Sequence, residues 1–288
     1  MERMKVSIVI TAYNVGDTIK RAIDSALGQT YKDIEVVVVS DCPTDNTLEI
    51  IGGYEGMGNF VHVKNEKNVG AGQSRRNGIK ASHGDYILLL DGDDWLEFDY
   101  IRRLVENAQR TGAEIVSGGI TINEEDGAWS DNYYGEHVYE GVDKVSKHFN
   151  EKIVFMNNKL IARRLHDLVP YCTRRYIEDT PVIVPMLYHA NKVSYINVCG
   201  YHYYMNPESL THTADKAKGH LYRTLCFLDL IDFFASKEKE YGELFPIAGI
   251  QRWLDAVKGL SVVEMAQYPE AAAEVAQRLC KLIHISKQ

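Results

Sequence analysis

Four short apolar runs, starting near positions 5, 34, 60 and 86 and separated by stretches of helical period, constrain the fold of this chain more than any other feature. The first reads Val6-Ser7-Ile8-Val9-Ile10. The second, 34–39, holds four consecutive valines; the third spans 60–63; the fourth, 86–90, reads Tyr-Ile-Leu-Leu-Leu. Unbroken apolar runs of this length suit strands buried on both faces, as in a parallel sheet covered by helices. Between the first two, Ile19, Ala22, Ile23, Ala26 and Leu27 recur at helical spacing. Thr44-Asp45-Asn46-Thr47 caps a following helix, 70–81 and 97–111 read as helices, and 114–117 reads as a further strand. These intervals are those of βαβ units with right-handed crossovers. The predicted fold is α/β: a Rossmann-like, mostly parallel central sheet flanked by helices.

Past Gly119 the pattern changes. Residues 120–137 are polar and aromatic and read as strands and loops, with antiparallel pairing. A helix is expected over 180–190 and strands over 192–196 and 200–204. From Asp215 strand signals vanish, and three amphipathic helices are expected over 217–236, 246–265 and 271–285. The expected organisation is a catalytic domain over 1–212 and a helical C-terminal extension over 213–288.

Composition removes several classes. A formal net charge of -8 argues against nucleic acid as the main partner. No apolar stretch approaches the ~20 residues that a membrane-spanning helix needs. Cys42, Cys172, Cys199, Cys226 and Cys280 are scattered and form no CxxC pair, so neither a disulfide framework nor a zinc site is expected, and a cytoplasmic location is. The turn after the first strand has no GxGxxG, and no GxxxxGK[ST] occurs. Dinucleotide and P-loop phosphate binding are therefore disfavoured.

In an open α/β sheet, ligands bind beyond the carboxyl ends of the strands. Thr11-Ala12-Tyr13-Asn14 follow the first strand, Ser40-Asp41 the second, and Asp91-Gly92-Asp93-Asp94 the fourth. Three aspartates in four residues repel one another unless a cation lies among them. Carboxylate oxygens suit Mg²⁺ or Mn²⁺, ions that bridge protein carboxylates to substrate phosphates. Solvated turn aspartates are the plainer alternative, but the position of this cluster at a buried strand end favours a metal–diphosphate site.

In order and spacing these motifs resemble the family-2 inverting glycosyltransferases of GT-A fold. The matching stretches include the Val6–Asn14 and Val37–Thr47 segments, Asn65-Glu-Lys-Asn-Val-Gly70, Arg76-Asn77-Gly78, the Gly84–Trp95 block and Glu178-Asp179. The resemblance implies a UDP-sugar donor and a glycan or lipid-linked acceptor. It places Thr11, with neighbouring Tyr13, at the nucleotide, and Asp41 at a uracil ring nitrogen. It puts Arg76 near the nucleotide, with Arg75 as the substitute. Asp91 and Asp93 match the DxD pair that holds Mn²⁺ or Mg²⁺, Asp94 is a further candidate ligand, and Asp91 also borders the nucleotide. Asp179 matches the catalytic base, with Glu178 beside it.

Three departures from the family pattern stand out. Cys42-Pro43 replaces the frequent Gly-Ser, which predicts an ordinary negative φ at residue 42. Met205 stands where an arginine is frequent, while Ser209 is retained, so Arg75, Ser209 and His202 are the alternative diphosphate contacts. Tyr133, Tyr134, Tyr201, Tyr203 and Tyr204 are candidates for an acceptor groove or for packing. The C-terminal helices are expected to pack on the core, on a second copy of the chain, or on the inner membrane face. A GT-A-like nucleotidyltransferase and a non-catalytic nucleotide-binding protein are the alternative readings.

Overall fold

In the computed structural model the described residues are 4–124, 127, 129–132, 134–150, 155–172, 177–205, 215–244, 255 and 257–285. β1 (Val6–Ala12), β2 (Ile34–Ser40), β3 (Phe60–Lys64) and β4 (Tyr86–Asp91) alternate with α1 (Ile19–Leu27), α2 (Thr47–Gly52) and α3 (Ala71–Ala81). They form a parallel unit in spatial order β3-β2-β1-β4. Side chains alternate across each strand. Ile8, Ile10, Val36 and Val38 join the cluster under α1, whereas Val9, Val37 and Val39 join the one under α3. Both faces are covered, which explains the unbroken apolar runs.

β5 (Trp95–Leu96) and α4 (Tyr100–Thr111) follow, then β6 (Ile115–Asn123), β7 (Trp129–Asn132), β8 (His137–Tyr139), α5 (Asp143–Asn150), β9 (Lys159–Ala162), α6 (Arg163–Leu168), α7 (Thr180–His189) and β10 (Val193–Tyr204). β9 inserts antiparallel between β4 and β6. β10 runs parallel to β6 and pairs antiparallel with β5 and β8, and β7 pairs antiparallel with β6. The two strands expected over 192–196 and 200–204 are one strand, whose register shifts between Tyr195 and Tyr201 interrupt the ladder without ending it.

The C-terminal part contains α8 (Lys216–Phe234), a short α9 (Lys239–Gly242), α10 (Val262–Ala266) and α11 (Pro269–Ile285). The Asp215 carboxylate caps α8 by accepting from the Lys218 N–H. Ala217, Leu221, Leu225 and Leu228 of α8 share one buried cluster with Val182, Val184 and Leu187 of α7. The expected boundary between 212 and 213 lies outside the described residues, as does 246–254 of the expected helix 246–265. The described end of that helix breaks at Gly259-Leu260, and a capping box between Ser261 and Glu264 starts a new helix.

Candidate active site

The carboxyl ends of β1, β2 and β4 and the start of α7 converge on one edge of the sheet. Gly92 is required there by close approach: a Cβ would fall 2.8 Å from the Thr11 carbonyl oxygen and 2.9 Å from Val15 Cγ2. Thr18 Oγ1 donates to the Gly92 carbonyl, and Arg21 Nη2 donates to the Asp93 carbonyl at 2.8 Å. Thr11 Oγ1 reaches Asp91 Oδ1 at 3.3 Å, and Tyr13 beyond it is exposed.

The four acidic candidates at this edge have different surroundings. Asp41 is 3% exposed. Its Oδ1 accepts from Asn65 Nδ2 and the Val69 N–H, and its Oδ2 from the Gly70 N–H. A carboxylate has about four lone-pair sites, so one on Oδ2 remains for a ligand. Cys42 next to it has φ 56, which corrects the expectation of an ordinary backbone there. The left-handed turn is kept despite the Cβ, a strained arrangement for a non-glycine residue.

Asp94 is fully buried. It accepts from the Tyr201 hydroxyl at 2.5 Å and from the Tyr204 N–H at 2.9 Å. Tyr201 Oη also accepts from Asn157 Nδ2 at 3.0 Å. Burial, then Asp93 and Asp91, push the Asp94 carboxyl well above the usual carboxylate range. Asp94 thus fastens the acidic turn to β10. Asp93 is only partly buried, and burial together with the Asp91 charge pushes it up to about 6.

Asp91 faces a guanidinium. Arg75 Nη2 lies 3.0 Å from Asp91 Oδ1, and Asn157 Nδ2 donates to Asp91 Oδ2 at 2.8 Å. Burial opposes its ionisation, but Arg75 and these hydrogen bonds hold its carboxyl below the usual range. The other arm of Arg75, Nη1, reaches Asp179 Oδ1 at 2.7 Å and Glu178 Oε1 at 3.0 Å. Arg75 is 5% exposed, whereas Arg76 is exposed on the next helical position. The geometry therefore favours Arg75 over Arg76 as the arginine of the site. α3 can carry it this deep because the helix packs tightly on the sheet: a Cβ at Gly78 would meet Val9 Cγ1 at 2.4 Å and Val39 Cγ2 at 2.8 Å.

Glu178 and Asp179 enter α7, with Asp179 as its N-cap residue. Ile177 before them has φ 53, costly for a β-branched residue and of the kind of strain that gathers at functional sites. Burial, then Asp179, push the Glu178 carboxyl up. Both carboxylates line a cavity of about 600 Å³ together with Arg75, Asp91, Asn157, Tyr201 and Phe155.

Among the remaining candidates, the His202 ring stacks on Trp95 at 4.7 Å, and its Nε2 pairs with Glu97 Oε1 at 2.8 Å. Arg21 covers the other face of Trp95, with its guanidinium carbon 3.7 Å from the ring centre. Packing accounts for His202 without a ligand. Tyr201 and Tyr203 line the cavity, as does Tyr134. Ser209 and Tyr133 lie outside the described residues.

Sequence reasoning missed Asn157 and Lys159. The Asn157 side chain is held by Asp91 and Tyr201 through Nδ2, while its buried Oδ1 has no hydrogen-bond partner among the described residues. Lys159 is fully buried. Its Nζ bonds Asn158 Oδ1 at 2.9 Å and lies 5.0 Å from the centre of the Phe155 ring. Burial pulls the Lys159 ammonium down to about 7, against the attraction of Asp179. The available signal was a polar run, Asn157-Asn158-Lys159, opening a short apolar strand.

A twisted α/β sheet with an acidic turn at the end of β4 and a carboxylate pair at the mouth of α7 defines the class: a GT-A glycosyltransferase fold. The chain is similar to S. aureus TarS 1–349, solved in complex with UDP-GlcNAc, with a TM-score of 0.71 at 17% identity over 96% of this chain and 81% of that one. The family model for glycosyl transferase family 2 matches residues 7–173, and the chain belongs to that family. It is 28% identical over 219 residues to Glycosyltransferase GlyA of Streptococcus pneumoniae serotype 4, covering 72% of this chain and 31% of GlyA. It is 27% identical over 220 residues to Glycosyltransferase GlyG of the same organism, covering 72% of this chain and 73% of GlyG. The chain thus spans only 31% of the length of one relative and 73% of the other.

Proposed function

We propose that this chain transfers a sugar from a UDP-sugar to a hydroxyl of a glycan or lipid-linked acceptor, with inversion at the anomeric carbon. The observation that carries the reading is the placement of Asp179 and Asp91 on opposite arms of the buried Arg75 guanidinium. The donor diphosphate lies on the Asp91 side and the acceptor hydroxyl on the Asp179 side. Asp179 accepts the hydroxyl proton as the oxygen attacks the anomeric carbon, and the nucleoside diphosphate departs on the opposite face. Arg75 holds the base in place and adds positive charge near the departing diphosphate.

The donor set fits a divalent cation. Asp93 is raised by burial and by a like charge, a state that a bound cation relieves. Asp93, with Asp91, is the residue that would hold Mn²⁺ or Mg²⁺, which supplies charge neutralisation on the diphosphate. Asp94 is spent on Tyr201 and Tyr204. Among the described residues no group of three or more His, Cys, Asp or Glu side chains could hold a metal ion, so the proposed cation would need donor phosphate oxygens to complete its shell.

The choice of UDP rests on the family resemblance at Asp41 and on the UDP-GlcNAc bound by TarS. No described helix is long and apolar enough to cross a membrane. The test is hydrolysis of a panel of UDP-, GDP-, ADP- and CDP-sugars with Mn²⁺, with release of UDP expected. Turnover confined to another nucleotide contradicts the donor assignment.

A further inference from the structure

The cavity beside Asp179 has a wall that the proposed chemistry does not yet use. Ile120, Ile122, Phe155 and Tyr203 give it apolar and aromatic surface, and Arg223 of α8 stands at its edge. Leu221 and Leu225 bury α8 in the same cluster as Val182 and Val184 of α7, the helix that begins just after Asp179. Arg223 lines the same cavity as Asp179 and Glu178. Of the nucleotide and metal candidates, Asp91 lines the cavity, whereas Thr11, Asp41 and Asp93 are not among the described residues that do.

The Arg223 guanidinium lies over Gly219. Side chains on a helix lean toward its N-terminus, so Arg223 reaches back over residue 219, one turn earlier. A Cβ at Gly219 would fall 2.9 Å from Arg223 Nη1. Glycine inside a helix is less favourable than alanine. Here the bare turn leaves room for the guanidinium. Arg223 is exposed and also engages the protein itself, so an arriving anion shares or displaces that contact.

Resting on the glycosyltransferase reading, we infer that Arg223 binds an anionic group, phosphate or carboxylate, carried by the acceptor. The guanidinium fork matches both anions in bidentate geometry. The aromatic wall suits the apolar face of a sugar ring, which sets the reacting hydroxyl at Asp179. A chain with a net charge of -8 repels an anionic glycan except where a local cation draws it in, so the placement of this arginine selects orientation as well as charge.

The test uses the UDP-sugar that the wild-type chain hydrolyses fastest. Transfer is measured to matched methyl glycosides, one neutral, one phosphorylated and one a uronate. The expected kcat/KM for the charged members exceeds that for the neutral one by about tenfold. Arg223→Gln is expected to raise KM for the charged acceptors by about tenfold, with kcat changed far less, and so to erase most of that preference. Equal use of charged and neutral acceptors by the wild type overturns the inference, as does a charged preference that survives Arg223→Gln. A chain that hydrolyses no nucleotide sugar defeats the glycosyltransferase reading and this inference together. One that hydrolyses its donor but ignores acceptor charge defeats this inference alone.

Discussion

Arg75 Nη1 lies 2.7 Å from Asp179 Oδ1, while Nη2 of the same guanidinium lies 3.0 Å from Asp91 Oδ1. One buried cation therefore ties the acidic turn after β4 to the carboxylates that open α7, residues more than eighty positions apart in the chain.

Removing that cation leaves Asp91, Glu178 and Asp179 clustered without the guanidinium that bonds all three. Breaking a buried pair costs roughly 3–5 kcal/mol. Arg75→Met is expected to lower unfolding stability by about that amount in urea denaturation. Arg75→Lys should recover only part of it, because an ammonium cannot span both sides in a fixed fork. A loss under about 1 kcal/mol for Arg75→Met would show that the network is only loosely formed.

Lys159 gives a pH signature. Its folded-state pKa, about 7, lies below its unfolded value, so the unfolded chain binds the proton more tightly. The penalty is therefore full below about pH 7 and is relieved as pH rises toward the ordinary lysine value near 10.4. Lys159→Met should stabilise the fold by roughly 2–4 kcal/mol at pH 6.5, and the gain should shrink toward pH 9.5. A destabilised variant at pH 6.5, or a gain independent of pH, contradicts this account of the buried ammonium.

Asp94 of the acidic turn is held by Tyr201 and Tyr204, whereas Asp93 is the carboxylate proposed to bind the cation. UDP affinity by calorimetry is expected to fall sharply in EDTA, and Asp93→Asn should reproduce that loss with little change in stability. Tyr201→Phe should instead cost roughly 1–3 kcal/mol of stability, because buried Asp94 loses one of its two donors and Asn157 Nδ2 one of its two acceptors. Equal UDP binding with and without metal rules out the cation.

Asp41 predicts base selectivity through its remaining lone pair. UDP should compete better than CDP, GDP or ADP, since cytosine presents an acceptor where uracil presents an N–H. Tighter binding of any of the other three removes Asp41 from base recognition and leaves it as the clamp of the segment from Asn65 to Gly70.

The parallel half of the fold was readable because its strands are buried on both faces and its helices carry regular apolar stripes. The acidic turn was readable from its place at the end of a buried strand, whereas Glu178 and Asp179 stood out only through the family resemblance. Arg75 could not be separated from Arg76 by hydrophobic period. The buried stripe of α3 is made of Gly72, Ser74, Arg75, Gly78 and Ile79, which such counting barely registers. β9 escaped because four residues cannot establish a period, although Lys159-Leu160-Ile161-Ala162 lies between β4 and β6. Cys42 defied its side chain: the turn that positions Asp41 keeps its left-handed geometry with a cysteine in place of glycine.

The central claim is that Asp179 is the base, and the most direct test pairs donor binding with transfer rate in Asp179→Asn. The Met156 N–H and Arg75 converge on this carboxylate at 3.4 and 2.7 Å, so asparagine keeps the shape and loses the proton acceptor. The account predicts UDP affinity within about twofold of wild type and a transfer rate lower by roughly 10²–10⁴-fold, with Glu178→Gln losing less. An Asp179→Asn chain that transfers sugar at the wild-type rate would contradict it.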